Sequence, residues 1–368
     1  MAMSRRVFMI GGIATGGLGA MTNLDALLKL PPVSAAETVV TPDIVRFTDE
    51  IEPLVRLIED TPRNKVVEVM AHQLRNGMSY RQFMGALFLA GIRNVSPQPP
   101  GFSFHCVFMI HSCNYLSKMG PPEERYLPLF LALDDFKKAQ ANDAGRNEGN
   151  FTLNQSTGAL PAGQTAWTEF HAAMEAWDEP RADSAITAAA REFEQDEVFE
   201  HLWEYGARDY RNIGHKIIFV AHAHRTLTDI GWEHAEPTLR SLILGLLDFG
   251  KNERVNAYAF EDQGYLVNRE LARKSIKLLP DNWADLDSHR PVTMEVLNAM
   301  RKGLVNGASQ HALEQLKAGH CKAGAIWDAI HLVAGELMMR QSGIAGVHTV
   351  TSSNAMHYAF RTTNNPQT

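Results

Sequence analysis

Apolar residues recur along this chain at helical spacing, and the residues between the apolar runs are those that begin and end helices. Ser79, followed three residues later by Gln82, forms a capping box in front of the apolar run 83–90, and Gly91 offers a stop. Thr61 and Pro62 pair a capping hydroxyl with a proline suited to a first helical turn. The sequence has no series of alternating apolar and polar segments joined by hairpin turns. This pattern predicts an all-α fold, a multi-helix bundle built from helical hairpins.

Two stretches of the predicted bundle share one spacing. Residues 111–120 read His, four residues, Leu, three residues, Gly, and residues 222–231 repeat that spacing. The helices that follow are predicted to end near 133–136 and 247–249, respectively. Such helix–Gly–helix units are compatible with an internally duplicated hairpin.

Two longer polar segments are predicted to be loops. Residues 141–164 are rich in Gly, Asn and Thr and are typical of a long surface loop within one domain or of a boundary between two lobes. Residues 92–103 contain Pro97, Pro99 and Pro100 shortly before His105. This proline-rich loop is expected to form one wall of a pocket.

The composition is that of a globular protein and argues against some classes of function. The chain has 368 residues, of which 45% are hydrophobic and 21% are charged, and this is ordinary for a globular protein with a large core. Its formal net charge of -7 and the lack of an interleaved basic and aromatic stretch argue against nucleic-acid binding. Three cysteines cannot all pair within one chain, so they are interpreted as buried small residues, with a free thiol or a metal contact as the alternative.

The N-terminus has the features of an export signal. Arg5 and Arg6 are followed by Phe8 and a glycine-rich apolar run to Met21, which resembles a twin-arginine signal, and residues 33–36 are small enough for cleavage. We predict a signal peptide over 1–36, one all-α metal-binding domain over 37–368, recognition by the twin-arginine translocation machinery, and a periplasmic or secreted location. An ordinary secretory or anchoring segment is the alternative. The apolar run is too short and glycine-rich to predict a stable membrane span.

Histidines carry the candidate chemistry. Four of them stand at or near the start of a predicted helix, each with another histidine two or three turns later; these four are His105, His215, His320 and His348. An all-α chain can build a metal centre in its interior from one imidazole on each of several helices. The dipole of a helix disfavours imidazolium in the first turn, so the ring stays neutral and able to bind metal.

Spacing assigns different roles to the two members of each pair. His222 lies seven residues beyond His215, roughly 10 Å along a helix, which is too far for both to bind one ion easily. We therefore predict one ligand per helix, with His105, His215, His320 and His348 as the metal ligands. The later histidines are expected to orient ligands or contact substrate, with catalytic roles for His111 and His222, and this group also includes His331 and His357. Core packing without a metal is the alternative for each of them.

The histidine segments also resemble a known family. Phe104-His105, Gly214-His215 and the closing segment 347–355, which begins Val-His-Thr-Val-Thr, are similar to the questin oxidase-like proteins. The resemblance covers roughly the second half of the chain and the region of His105. It implies an all-α fold, oxygen-dependent cleavage of polycyclic aromatic or quinone-type substrates, and a histidine-bound iron. The paired-histidine motif on an early helix of that family is reduced here to His72, and an export signal is not typical of the family.

Together these features predict an exported metal-dependent oxidoreductase that acts on a small molecule at a mononuclear centre. Iron with O₂ is the first choice because of the resemblance, while imidazole ligands alone also suit copper or zinc. One rival is a zinc-dependent hydrolase or lyase, in which the ion activates water. The other is a non-catalytic helical binding protein, which would contain no stoichiometric metal.

Overall fold

Helices make up nearly all regular structure in the computed structural model of this chain. The structure describes residues 45, 47–144, 151–248, 259–303 and 306–368, and all of them lie in the compact unit Asp43–Thr368. No β-strand occurs within these ranges. The predicted all-α class is confirmed, and the predicted signal peptide over 1–36 lies outside the described residues.

The α-helices are numbered here in chain order over the described residues. They are α1 (Glu52–Asp60), α2 (Arg63–Arg75), α3 (Tyr80–Asn94), α4 (His105–Met119), α5 (Leu127–Ala144), α6 (Thr165–Ala176), α7 (Glu179–Glu192), α8 (Gln195–Glu200), α9 (Trp203–Ala207), α10 (His215–Ile230), α11 (Ala235–Leu246), α12 (Phe260–Ser275), α13 (Arg290–Arg301), α14 (Gly307–Lys317), α15 (Ala323–Arg340) and α16 (Ile344–Thr362). Short 3-10 helices cover Phe102–Phe104, Pro122–Glu124, Trp232–His234 and Ile276–Leu278.

Helices α3 and α10 are the most deeply buried elements of the main core. Residues 83–93 of α3 are buried without interruption, and most of α10 is buried as well. A helix that is apolar around its whole circumference must be covered by neighbours on every side. Helix α10 accordingly packs against α4, α9, α11 and α16.

A second, smaller core lies towards the C-terminal end. It is built by α13, α14 and α15 around Val296, Leu297 and Ala329. Helix α15 also packs along α16, and α16 packs on α10. The C-terminal helices therefore hold α16 against the main core.

Helix ends agree with the sequence prediction at one position and differ at two. Ser79 accepts a hydrogen bond from the Gln82 backbone amide at 3.1 Å, and the Ser79 amide donates to the Gln82 side chain at 2.9 Å, so the capping box is confirmed. The stop at Gly91 is wrong, because α3 continues to Asn94 and Gly91 allows close contact with Val107. A Cβ at Gly91 would lie 2.7 Å from Val107 Cγ2.

Thr61 does not cap α2. It ends α1 instead, and its hydroxyl donates to the Leu57 carbonyl at 2.5 Å. The residue at the N-cap of α2 is Pro62, which has no side-chain hydrogen bond to give. A threonine between two helices can serve either end, and here it satisfies a carbonyl of the first helix.

The two stretches of shared spacing form similar units. In each, a long helix that begins at a histidine is followed by a 3-10 turn and a second helix: α4, Pro122–Glu124 and α5 in one, and α10, Trp232–His234 and α11 in the other. Helix α5 extends to Ala144, beyond the end predicted near 133–136, because the predicted loop 141–164 begins as helix. The duplication stays an interpretation.

Candidate metal centre

Three histidines from distant parts of the chain come together near the starts of their helices. His105 is the first residue of α4, His215 is the first residue of α10, and His348 lies in the second turn of α16. Their side chains offer ligand atoms that all lie within 4.8 Å of one another. Within the described ranges, this is the cluster of His, Cys, Asp or Glu side chains that could hold a metal ion.

The Nε2 atoms of these rings point at one another. The His215 Nε2 atom lies 3.0 Å from His105 Nε2 and 2.9 Å from His348 Nε2. His215 is therefore the central member of the cluster.

Each Nδ1 atom faces a backbone carbonyl on its own chain segment. His105 Nδ1 lies 2.8 Å from the Phe102 carbonyl, and His215 Nδ1 lies 2.6 Å from the Asn212 carbonyl. His348 Nδ1 lies 2.6 Å from the carbonyl at position 344. A carbonyl oxygen only accepts hydrogen bonds, so Nδ1 carries the hydrogen in each neutral ring and Nε2 keeps its lone pair.

Three lone pairs directed at one another repel unless a cation shares them. Imidazole nitrogens bind divalent ions at about 2.1 Å, and two such nitrogens at a right angle lie about 3.0 Å apart. The two short Nε2–Nε2 distances agree with that separation, and the hydrogen bonds at Nδ1 are those that usually orient histidine ligands. The donor set thus fits a divalent transition metal, with three imidazoles and further coordination positions left open.

Burial keeps the central ring neutral. The pKa of His215 is lowered to about 4, chiefly because burial penalises the charged imidazolium. The Asn212 carbonyl opposes this shift, while the neighbouring rings of His105 and His348 add to it. At neutral pH the ring is consequently in the form that binds metal.

The backbone around the cluster is unusual at the segments that supply the carbonyls. Phe102 has φ +46° and Ile213 has φ +48°, a left-handed conformation that a bulky or β-branched residue rarely adopts. Gly101 lies against the His215 ring, and a Cβ there would stand 3.1 Å from the ring Cε1 atom. The end of the proline-rich loop, at Gly101, therefore lies against the central imidazole, and its role as a pocket wall stays a prediction.

His320, the fourth predicted ligand, is not part of the cluster. It is exposed in the turn after α14, and its Nδ1 atom lies 3.1 Å from Gln315 Oε1. The Gly319 amide donates to the Leu316 carbonyl and the His320 amide donates to the Gln315 carbonyl, which is a Schellman motif with Gly319 at φ +68°. Gly319-His320 thus ends one helix, whereas Gly214-His215 begins another, and α15 starts only at Ala323.

His111 and His222 lie beside the cluster rather than in it. Their ring centroids are 5.8 Å apart, and Phe108 stacks between His222 and His215 at centroid distances of 6.3 and 6.0 Å. Burial lowers the pKa of His222 to about 3 and that of His111 to about 4. Both rings are neutral at pH 7, and His222 Nδ1 is buried without a hydrogen-bond partner.

His331 and His357 contact each other. His331 Nε2 lies 3.0 Å from His357 Nδ1, and Trp327 stacks on the His357 ring at a centroid distance of 4.6 Å. They join α15 to α16 and are not members of the three-histidine cluster.

The cysteines do not contribute to the cluster. Cys106, Cys113 and Cys321 are free and buried. Burial raises the pKa of Cys113 to about 11 and raises that of Cys106 further, so both are neutral thiols at pH 7. They behave as small apolar residues, in line with the first interpretation of the sequence.

The sequence prediction missed the carbonyls that orient the three rings. A backbone oxygen has no residue signature, and only its position three or four residues before the histidine could have revealed it. It also missed Arg225, which lies on the same face of α10 as His215 and His222. The sequence does not show that α4 and α16 pack beside this face, so it gave no reason to single out Arg225.

Comparison with known proteins adds no assignment, since no family model, curated protein or solved structure matches this chain. Across the described residues, no helix combines the length and the apolar character needed to cross a bilayer. Fold and site together define an all-α protein with a three-histidine cluster that could bind a metal ion.

Proposed function

We propose that this chain is an exported, metal-dependent oxidoreductase whose ion is held by His105, His215 and His348. The observation that carries the proposal is the convergence of three Nε2 atoms whose rings are each fixed through Nδ1. Iron is the proposed metal, and the proposed reaction is the O₂-dependent oxidation or ring cleavage of an aromatic or quinone-type small molecule. The resemblance of the histidine segments to questin oxidase-like proteins supports the choice of iron and of substrate.

The ligand set favours a catalytic site over a purely structural one. Structural zinc sites are closed by four protein ligands, whereas catalytic sites keep a position open for water or substrate. The cluster offers three imidazoles, and the exposed side of His105 gives the centre contact with solvent. A bound iron would supply the redox chemistry with oxygen.

The remaining residues orient the ligands and surround the centre. The Phe102 and Asn212 carbonyls hold the Nδ1 hydrogens of His105 and His215 and keep Nε2 free for the ion. Phe108 stacks on the His215 ring and helps to hold its orientation. The rings of His111 and His222 are neutral at pH 7, so each can accept a hydrogen bond from a substrate hydroxyl, while their lowered pKa values make both weak bases.

A zinc-dependent hydrolase or lyase is the second candidate, because three imidazoles with an open position are also a catalytic zinc set. It requires zinc in the purified protein and activity without oxygen. The two candidates share their ligands and differ in the metal.

The test is elemental analysis of the exported, folded protein together with single His→Ala variants. Wild type is expected to contain about one iron per chain, and the affinity for iron should fall at least about tenfold in H105A, H215A and H348A. His320→Ala is the matched control, because this side chain is exposed outside the cluster and the variant should keep its metal. Equal metal content in H215A and wild type would contradict the proposal.

Oxygen uptake separates the two candidates. With 1,8-dihydroxyanthraquinone as the probe, the iron-loaded protein is expected to consume O₂ and the H215A variant is not. Stoichiometric zinc together with no oxygen uptake would favour the hydrolase or lyase instead.

A further inference from the structure

One face of α10 runs from the metal centre between two neighbouring helices. His215, Ile218, His222, Arg225 and Asp229 are three or four residues apart, so their side chains project from the same side of the helix. Arg225 is ten residues beyond His215, about 15 Å along the helix axis. The face therefore links the cluster to a cation.

Helices α4 and α16 flank this face and run parallel to α10. Along α4, His105 meets His215, Phe108 stacks on His222, and Asn114 donates to Asp229 at 2.7 Å. Along α16, His348 meets His215 and Asn354 meets Arg225. The contacts advance in the same order on all three helices, so α4 and α16 lie along the two sides of this face.

Arg225 is held on this face by neutral groups. Its two Nη atoms donate to Asn354 Oδ1 at 3.2 Å each, and its guanidinium lies 3.9 Å from the centroid of the Tyr358 ring. Within the described part of the chain, no carboxylate lies at ion-pair distance from it. The nearby Asp229 is taken by Lys118 at 3.1 Å and by Asn114.

Two arginines that are more deeply buried than Arg225 are neutralised by carboxylates. Arg93 pairs with Glu52 and Glu59, and Arg240 pairs with Asp183. Burial lowers the pKa of Arg225, because desolvation penalises its charge, and the charge in turn lowers the pKa of both His111 and His222. An incoming anion would remove this penalty.

We propose that Arg225 is the anion-binding residue of the substrate site, and that the substrate is an aromatic carboxylate. The planar guanidinium fork matches a carboxylate in a bidentate manner. Tyr358 is only partly buried beside the guanidinium and offers the aromatic part of such a ligand a ring to contact. This inference rests on the proposed function for the position of the reacting end, while the anion site itself is testable without the metal.

The experiment is isothermal titration of the full chain with 2-naphthoate, and with the neutral 2-naphthamide as the matched ligand. In Arg225→Gln, the affinity for 2-naphthoate is expected to fall about tenfold or more, because a charge-assisted hydrogen-bond pair is lost. Arg225→Lys keeps the charge without the fork and should lose less. The amide should bind wild type and R225Q equally.

Arg361→Gln on α16 is the control variant, because this arginine is exposed and should leave binding unchanged within about twofold. Circular dichroism of each variant verifies folding, and R225K gives a second reading if R225Q does not fold. Equal binding of 2-naphthoate to wild type, R225K and R225Q would overturn the proposal, and so would no binding to wild type.

Metal analysis of the same preparations separates the two proposals. Binding that depends on Arg225 in a protein without metal leaves the anion site standing and removes the oxidoreductase. If the protein contains metal but binds 2-naphthoate independently of Arg225, the metal site stands and the anion site is ruled out.

Discussion

Each clustered imidazole is fixed by a carbonyl three or four residues before it. His105 uses position 102, His215 uses position 212, and His348 uses position 344. These bonds are local, so the tautomer of each ring is decided by its own segment. Whether Nε2 can bind a metal depends on the other two segments, because a site forms only where the Nε2 atoms of several histidines lie close together.

At the scale of single residues, we predict that His222 makes the protein less stable in acid. Its pKa in the fold, about 3, lies below the ordinary value of 6.5, so the folded state favours the neutral ring. The stabilisation is complete above pH 6.5 and is lost as the pH falls towards 3. Between pH 7 and 5, His222 should account for about 1–2 kcal/mol of the free energy of unfolding.

Urea denaturation at pH 7 and pH 5 measures this effect. The His222→Gln variant should lose less stability between the two pH values than wild type does. His320→Gln, a change at an exposed side chain, should keep the wild-type dependence. Equal loss in H222Q and wild type would show that His222 is not the group that titrates.

At the scale of helices, the same dipeptide, Gly-His, has two structural roles. Gly214 has φ +87° and precedes α10, whereas Gly319 has φ +68° and follows α14. Both sites need glycine for its left-handed conformation, and nothing in the dipeptide itself tells a beginning from an end. The residues on either side decide, since 318–322 leave α14 before α15 begins at Ala323.

Gly214 also sets the contact between α10 and α16. A Cβ at this position would lie 2.6 Å from Ser352 Cβ, in a backbone conformation that side chains rarely adopt. We predict that Gly214→Ala costs at least about 2 kcal/mol in unfolding free energy and weakens metal binding. The weakening would arise because α16, and His348 with it, must shift away from His215.

Gly335→Ala is the matched control. Gly335 is inside α15, and beyond the backbone of its own helix no atom lies within 4 Å of the place that a Cβ would take. Alanine there should therefore be neutral or stabilise the fold by up to about 1 kcal/mol. Thermal unfolding and iron titration of both variants make the comparison. Similar behaviour of G214A and G335A would mean that the Gly214 contact is not important.

At the scale of the whole molecule, the cluster joins residues that are far apart in the sequence. His105 and His215 are separated by 110 positions, and His215 and His348 by 133. The smaller core around Val296 supports α15, and α15 supports α16. A bound ion would connect α4, α10 and α16 and would favour the folded chain over the unfolded one.

We predict that metal raises the stability of the entire unit. At a free iron concentration about 100 times the dissociation constant, the unfolding free energy should rise by about 2.7 kcal/mol. The rise should be reduced to about 1.4 kcal/mol or less in H348A, where the affinity is at least tenfold lower, and unchanged in H320A, and a chelator should reverse it. Calorimetry of metal-free and iron-loaded protein under anaerobic conditions measures it, and an equal rise in both variants would rule out His348 as a ligand.

The amino-acid pattern by itself determined the all-α class, the capping box at Ser79 and the helix starts at His105 and His215. These features depend on periodicity and on interactions within a few residues, which a linear sequence displays directly. The sequence also indicated that histidines from separate helices would form a cluster, but it wrongly included His320 among them.

Only the tertiary structure decided which histidines meet. Meeting depends on how α4, α10 and α16 pack side by side, and that packing is set by the shapes of many buried residues distributed over the chain. The same packing placed Arg225 beside Asn354 and Tyr358, with no carboxylate partner among the residues that the structure describes. A contact between residues more than a hundred positions apart has no local signature, because its free energy belongs to the assembled core and not to either segment.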